Sequence, residues 1–363
     1  MKFMDEYRPE RFGGGRYILD VYKMIQNLVP ELKPLLTERI SLMRYLANQS
    51  ERVGRQAIAD AIHLSERHTR SLIQILREED LVEVDRSGVQ LTPKGNALLE
   101  HVNDWMNHTS DLSLDYLEAS LRNALGINEV HLVAGDSRKD GQVFEEMSLR
   151  VQGLLNELLP DNYPSTIAVT GGTTLAEISK YFTPAYKQGK ELTFVPSRGG
   201  FPGNFDIQSN SVSGLMAKQS QAAYVPLFIP DNLTEAASQF MMEEPSIKRA
   251  IDLGRSADCL ILSVGTASVM AERREISEDQ AAVIQESQAV GEAFGAFYDR
   301  HGQIVMRYPR IGLKIEDINQ IPNLLAVVGG AEKAEAVKAF FKLVPHRGIL
   351  VCDEALAKQV LNG

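Results

Sequence analysis

Apolar residues in the first third of the chain recur with a helical period and then switch to alternation. In TERISLMRYLAN, Ile40, Met43, Leu46 and Ala47 share one helical face behind Thr37, which the pattern makes an N-cap. RQAIADAI predicts a second short helix and HLS a turn. ERHTRSLIQILREEDL predicts a third helix, with Ser65 as its N-cap and Leu72, Ile75 and Leu76 as its apolar stripe. VEVDRSGVQLT then alternates about Asp85-Arg86-Ser87-Gly88, which is hairpin chemistry. Three helices and a hairpin within about 55 residues describe a winged helix-turn-helix. Upstream, YILDVYKMIQNLVPELKPLL keeps helical spacing until Pro30 and Pro34 interrupt it, so residues 1–36, with Gly13-Gly14-Gly15, read as an N-terminal arm. Downstream, TPKGNALLEHVNDWMNH reads as a linking helix that completes a 37–108 domain.

From about Leu112 the rhythm changes. Apolar runs rich in β-branched residues recur at EVHLVAG, STIAVTGG, ELTFVPSRGG, AAYVPLFIP, ADCLILSVG, NLLAVVGG and GILVCDE, separated by helical stretches. Such a series predicts an α/β domain over 109–363, with a mostly parallel sheet covered on both faces. Ligands of such sheets sit beyond the carboxyl ends of the strands, so the residues just after each run carry the functional information.

A chain of 363 residues with 44% hydrophobic and 24% charged residues supports two or three domains with their own cores. No apolar run approaches the roughly 18–20 residues of a membrane span. The opening MKFMDEYRPERFGGG lacks the apolar core of a secretory signal. Cys259 and Cys352 both lie inside apolar runs and read as buried thiols, so a cytoplasmic protein with no disulfide framework and no metal is expected. The net charge of −10 is unevenly spread, because residues 1–100 hold 15 cationic and 15 acidic side chains and the deficit falls on the rest. Within 52–77, Arg52, Arg55, Arg67, Arg70 and Arg77 outnumber Asp60 and Glu66. That excess suits a phosphate backbone. The third helix would turn Glu66, Arg67, His68, Arg70, Ser71 and Gln74 toward a major groove, with Arg86 on the wing; a protein-interaction surface is the plainer alternative.

The strand ends read GGTT at 171–174, SRGG at 197–200, VGTA at 264–267 and GGAEK at 329–333. Gly171-Gly172-Thr173-Thr174 joins a strand to a helix and would offer amides and hydroxyls to an anion. Lys333 stands in the first turn of a helix, where a cation opposes the dipole and calls for an anionic ligand. Arg198 lies on a third such loop beside two glycines. Each loop alone is more simply a tight turn; three with Thr-Thr, Arg and Lys suggest the phosphate of a small metabolite. Neither GxxxxGK[ST] nor GxGxxG with an acidic partner is present.

A winged helix followed by an α/β domain with GGTT, SRGG, AERRE (271–275), GEAFGAFYD (291–299) and GGAEKAEAVKAFF (329–341) resembles the SorC family of sugar-responsive bacterial regulators. The resemblance covers about residues 37–363 and implies an effector domain folded like ribose phosphate isomerase and glucosamine phosphate deaminase. It implies a repressor of glycolytic genes that binds operator DNA as a homodimer or homotetramer, with no cofactor. Its effector would be a phosphorylated sugar, fructose 1,6-bisphosphate being the one implied by a glycolytic member of the family. Carried over residue by residue, Gly171, Gly172, Thr173, Thr174 and Lys333 would hold one phosphate. Arg198 and Arg273 would hold the second, and Gln208 and Glu292 would meet sugar hydroxyls. Plainer readings make Arg273-Arg274 a solvated pair and Glu292 the cap of a helix.

The rival class is an enzyme of the isomerase or deaminase type. Those enzymes place carboxylates just after a central strand as general acid and base. Here the corresponding stretch, Leu262-Ser263-Val264-Gly265-Thr266-Ala267, has no ionisable side chain before Glu272, which favours a sensor.

Overall fold

The computed structural model describes residues 28–362 apart from 30, 31, 50, 63, 109, 162, 188, 201, 202, 231, 232, 234, 275 and 345. Most of the arm expected over 1–36 therefore lies outside the described residues. The chain forms two compact units that divide between Ala119 and Ser120. The division falls inside the helix Ser110–Leu125, later than the expected boundary at residue 109.

In the first unit the helices Leu32–Ala47, Arg55–Ala61 and Glu66–Glu78 precede a hairpin of β1 (Val82–Val84) and β2 (Val89–Leu91), and the helix Pro93–His108 follows. Val84 pairs with Val89 across the hairpin. Asp85 closes its turn by accepting from the Ser87 and Gly88 amides. The first helix starts at Leu32, five residues before the expected Thr37 cap, so Thr37 is an interior position. Pro34 does not interrupt this helix. It stands in the first turn, where an N–H has no intrahelical acceptor to lose. The core joins Leu42, Met43, Leu46, Ile58, Leu72, Ile73, Leu76 and Val89. On the third helix the buried stripe is Thr69, Leu72, Ile73 and Leu76, and Ile75 is only partly buried. A stripe through i, i+3, i+4 and i+7 includes Thr69, whose methyl side is easily passed over as polar. Each buried Leu or Ile there contributes roughly 1.5–3 kcal/mol.

The second unit is built on a seven-stranded sheet in the order β3-β13-β12-β7-β4-β5-β6. Its strands are β3 (Glu129–Val133), β4 (Ser165–Val169), β5 (Leu192–Pro196), β6 (Ala223–Tyr224), β7 (Cys259–Leu262), β12 (Asn323–Val328) and β13 (Ile349–Asp353), one for each apolar run. All the pairings within it are parallel. Ile167, Phe194, Ile261 and Val327 pack into one core with the helices Gln142–Leu158, Thr173–Ser179 and Ser209–Ser220. Alternate residues Ala168, Val195, Leu260 and Ala326 point to the opposite face and are as fully buried. Helices thus cover both faces. From β4 the chain winds outward through β5 and β6, and from β7 through β12 and β13 the other way. The strand order therefore reverses between β4 and β7, where sheets of this class bind ligands.

A second, antiparallel sheet was not read from the sequence: β8 (Gly265–Thr266), β9 (Gly291–Ala293), β10 (Ala296–Tyr298) and β11 (Ile304–Arg307). GEAFGAFYD is its central hairpin, turned by Phe294 and Gly295 at positive φ. Glu292 therefore lies in a strand and caps no helix.

Candidate functional site

The loops after β4 (Thr170–Thr173) and β7 (Ser263–Thr266) form the floor of a cleft at the reversal point. Arg138 follows β3, Ser197 and Arg198 follow β5, and Glu332 and Lys333 follow β12. Arg273, Arg274, Glu292, Phe294 and Arg310 share the rest of the lining with apolar Ile207, Val269, Met270 and Ala293, around a space open to solvent. Six cationic side chains face two carboxylates. The lining thus carries a net positive charge, which raises the local concentration of anions.

Backbone fit fixes the floor. A Cβ on Gly171 would lie 2.3 Å from the Ile207 carbonyl oxygen, so no side chain is possible there. The Gly172 amide donates to that same oxygen at 2.9 Å. Thr173 opens the following helix and lines the cleft. Thr174 does not line it: its hydroxyl is buried and accepts a 3.1 Å hydrogen bond from Lys333 Nζ. Thr174 aims the lysine.

Lys333 is 8% exposed and ends a one-turn 3-10 segment, Ala331–Lys333, ahead of the helix Ala334–Leu343. Burial pushes its pKa down to about 8; Glu332 opposes the shift, and Arg138 and Arg273 add to it. An amine held this far below its ordinary value gains charge stabilisation from any anion that enters. Burial, with the charge of Arg138, also depresses half-buried Arg273.

Glu292 is the fixed counter-charge. Its carboxylate, 4% exposed, accepts from Arg274 Nη2 at 2.8 Å and from the Gly295 amide. Burial works to protonate it, but Arg274, Arg198 and Arg310 outweigh that and hold its pKa below the usual range. Arg274, buried and stacked over Tyr308 at 5.1 Å, is no member of a solvated pair. Arg310 donates to the Ser197 carbonyl at 3.1 Å and lies over Phe294. Beneath the cleft, buried Asp353 at the end of β13 accepts from the amides of Ser137, Gly330 and Leu356. It ties two strand-end loops to the first turn of the helix Glu354–Asn362.

Of the residues expected from the sequence, Gly171, Gly172, Thr173, Arg198, Arg273, Glu292 and Lys333 come together in the cleft, and Thr174 backs it. Gln208 does not join them. It precedes the helix Ser209–Ser220, donates to the Asn204 carbonyl and lines a neighbouring groove with Phe205, Asn210 and Phe228. Sequence reasoning missed Arg138, Arg274, Arg310, Glu332 and Asp353. The strand-end rule could have found Arg138, just past Gly135, and Glu332 beside Lys333. Nothing local marks Arg310. Among the described residues no His, Cys, Asp and Glu cluster could hold a metal ion.

In the first unit Ser65 caps the third helix by accepting from the His68 amide. Glu66, Arg67, His68, Arg70, Ser71 and Gln74 are all exposed. Arg70 pairs with Glu66 at 3.2 Å, Gln74 donates to Glu78, and His68 meets Glu38 at 2.8 Å. Arg86 is exposed at the hairpin tip. Arg52 is engaged by Glu83 and Asp85 of the hairpin, so the cationic excess falls on the third helix and the tip.

Residues 112–362 match the Sugar-bind domain family, and residues 35–106 match the CggR N-terminal DNA binding domain. The central glycolytic genes regulator of Priestia megaterium is 35% identical over 93% of this chain and 97% of its own length. That of Bacillus subtilis is 34% identical over the same shares. A crystal structure from Enterococcus faecalis, described as a SorC family transcriptional regulator, superposes with a TM-score of 0.64 at 36% identity. It covers 68% of this chain and 99% of its own. The full-length sorbitol operon regulator SorC of Klebsiella pneumoniae, at 15% identity and a TM-score of 0.59 over 90% of this chain and 98% of its own, shares the fold.

Proposed function

The chain belongs to the SorC family of transcriptional regulators, with an N-terminal DNA-binding domain and a sugar-binding domain, and from that premise we propose that it is a cytoplasmic repressor of glycolytic genes released or retuned by a phosphorylated sugar. It is a regulator and not an enzyme. The effector that the cleft suits best is a bisphosphate, fructose 1,6-bisphosphate in the first place. One observation carries this: Arg138, Arg198, Arg273, Arg310 and Lys333 converge at the sheet's reversal point in a chain that also bears a DNA-binding domain.

In this reading Lys333 and Thr173 hold one phosphate against the Gly171-Gly172 turn, with Thr174 aiming the lysine. Arg198 and Arg273 hold the other. Glu292 keeps the arginines in place, and Gln208, turned to the neighbouring groove, stays out of the contact. At the other end, Arg67, His68, Arg70, Ser71 and Gln74 enter a major groove as the recognition face of a winged helix, and Arg86 meets the backbone. A single unit with so few cations makes few phosphate contacts, so a homodimer or homotetramer on paired half-sites supplies the affinity. A ligand shifts DNA affinity only by binding two states unequally, and a bisphosphate spanning several strand-end loops has the reach to do so.

The test uses duplex DNA selected by the wild-type protein from a random library. Mobility shifts with and without fructose 1,6-bisphosphate should show a ligand-dependent change for wild type. Lys333→Ala should bind the same DNA and ignore the sugar. A wild-type protein whose DNA binding no phosphosugar alters would overturn the reading.

A further inference from the structure

The two carboxylates of the cleft are held in different ways. Glu292 is sealed between Arg274 and a backbone amide. Glu332 stands on the short turn Ala331–Lys333 with its side chain 43% exposed. Its Oε1 accepts from Arg138 Nε at 2.8 Å and also from Nη2. The carboxylate is folded back over the Gly329-Gly330 turn, so closely that a Cβ on Gly330 would meet its two oxygens at 2.5 and 2.6 Å. It also accepts from its own backbone amide, and its charge faces Lys333.

Resting on the phosphosugar reading above, we propose that Glu332 is an internal competitor for the phosphate at Lys333, and so sets the concentration at which the effector binds. The carboxylate engages a guanidinium and a backbone amide of the turn that a phosphoryl group there requires. A phosphate at Lys333 has to displace it or bear its like charge. The Arg138–Glu332 pair, half open to water, is of the kind that is cheap to break. A dianion gains more than a carboxylate from the same cations, since Coulomb energy scales with the product of the charges. The turn is therefore biased toward phosphoryl groups, and the carboxylate holds their affinity down.

The alternative, that Glu332 serves only to anchor Arg138, gives the opposite sign: without it Arg138 would be less well placed and anion binding would weaken. Calorimetric titration of the full-length protein with inorganic phosphate, and then with fructose 1,6-bisphosphate, separates the two. Glu332→Gln and Glu332→Ala should each bind inorganic phosphate about tenfold more tightly than wild type, ~1.4 kcal/mol by the affinity relation. Their ligand-free melting temperatures should match wild type, showing an intact fold. Lys333→Ala, run alongside, should lose phosphate binding. If both Glu332 variants bind phosphate equally to wild type or more weakly while Lys333→Ala loses it, the cleft reading stands and the competitor role is overturned. If Lys333→Ala binds phosphate as wild type does, the cleft reading fails and takes this proposal with it.

Discussion

The two units of the chain manage their cations in opposite ways. On the third helix of the first unit, Arg67 and Arg70 are exposed, and Arg70 keeps 64% of its side chain open beside Glu66. In the cleft of the second unit, Arg198, Arg274 and Lys333 are 7–8% exposed. Exposed cations cost little to keep, act over about a Debye length and are screened by salt. Buried ones are costly unless partnered, so the fold supplies Glu292 and Thr174 beside them. The first arrangement suits a long polyanion met at a surface. The second suits a small anion selected by geometry.

The largest way to break this contrast is to remove the buried scaffold. Asp353→Ala leaves the Ser137, Gly330 and Leu356 amides without their acceptor. It should destabilise the 120–363 unit by about 3 kcal/mol or more, as expected for lost hydrogen bonds to a buried carboxylate. Thermal melting followed by circular dichroism checks this, and an unchanged midpoint would show that the loops hold without it. Next comes the exposed face. Arg67→Ala or Arg70→Ala should cost ~1–3 kcal/mol of binding to the selected duplex, with phosphosugar affinity unchanged. Mobility shifts at wild-type affinity in both variants would remove the helix from the interface.

The third prediction sharpens the buried side through pH. Lys333 titrates near 8 in the fold against an ordinary 10.5. As pH rises through about 8 it loses its charge, so phosphosugar affinity should fall by about tenfold per pH unit at most. The slope should be absent in Lys333→Met. For stability the sign is reversed: between about 8 and 10.5 the unfolded chain binds the proton that the folded chain has released, so this group makes stability rise with pH there. The smallest effect is Ser65→Ala, which removes the cap of the third helix and should cost ~1 kcal/mol of stability, read by denaturant unfolding.

What the sequence made legible divides along the same line. The seven sheet strands were readable because each lies in a continuous apolar run, the inner ones buried on both faces, and Ser65 because a cap is a local signal. The start of the first helix was misplaced because Pro34 reads as a breaker until it is seen to occupy a first turn. The small antiparallel sheet was missed because its strands are two to four residues long, too short for a period to register. In the cleft, Thr173, Arg198 and Lys333 follow strand ends and could be named. Thr174, adjacent to such a position, and Gln208, well past the end of β5, turn away from the cleft because their side chains serve Lys333 and the neighbouring groove. Arg310 reaches the cleft through Ser197, 113 residues away in the chain, and no local pattern records such a meeting.

The central claim is that the buried cations of the second unit bind a sugar bisphosphate. Its most direct test is calorimetric titration of the wild-type chain and Lys333→Ala with fructose 1,6-bisphosphate at neutral pH. The account predicts saturable one-site binding to wild type and a loss of ~2–5 kcal/mol in the variant, the cost of deleting a charge from a desolvated pair. Equal affinity in the two proteins would contradict it.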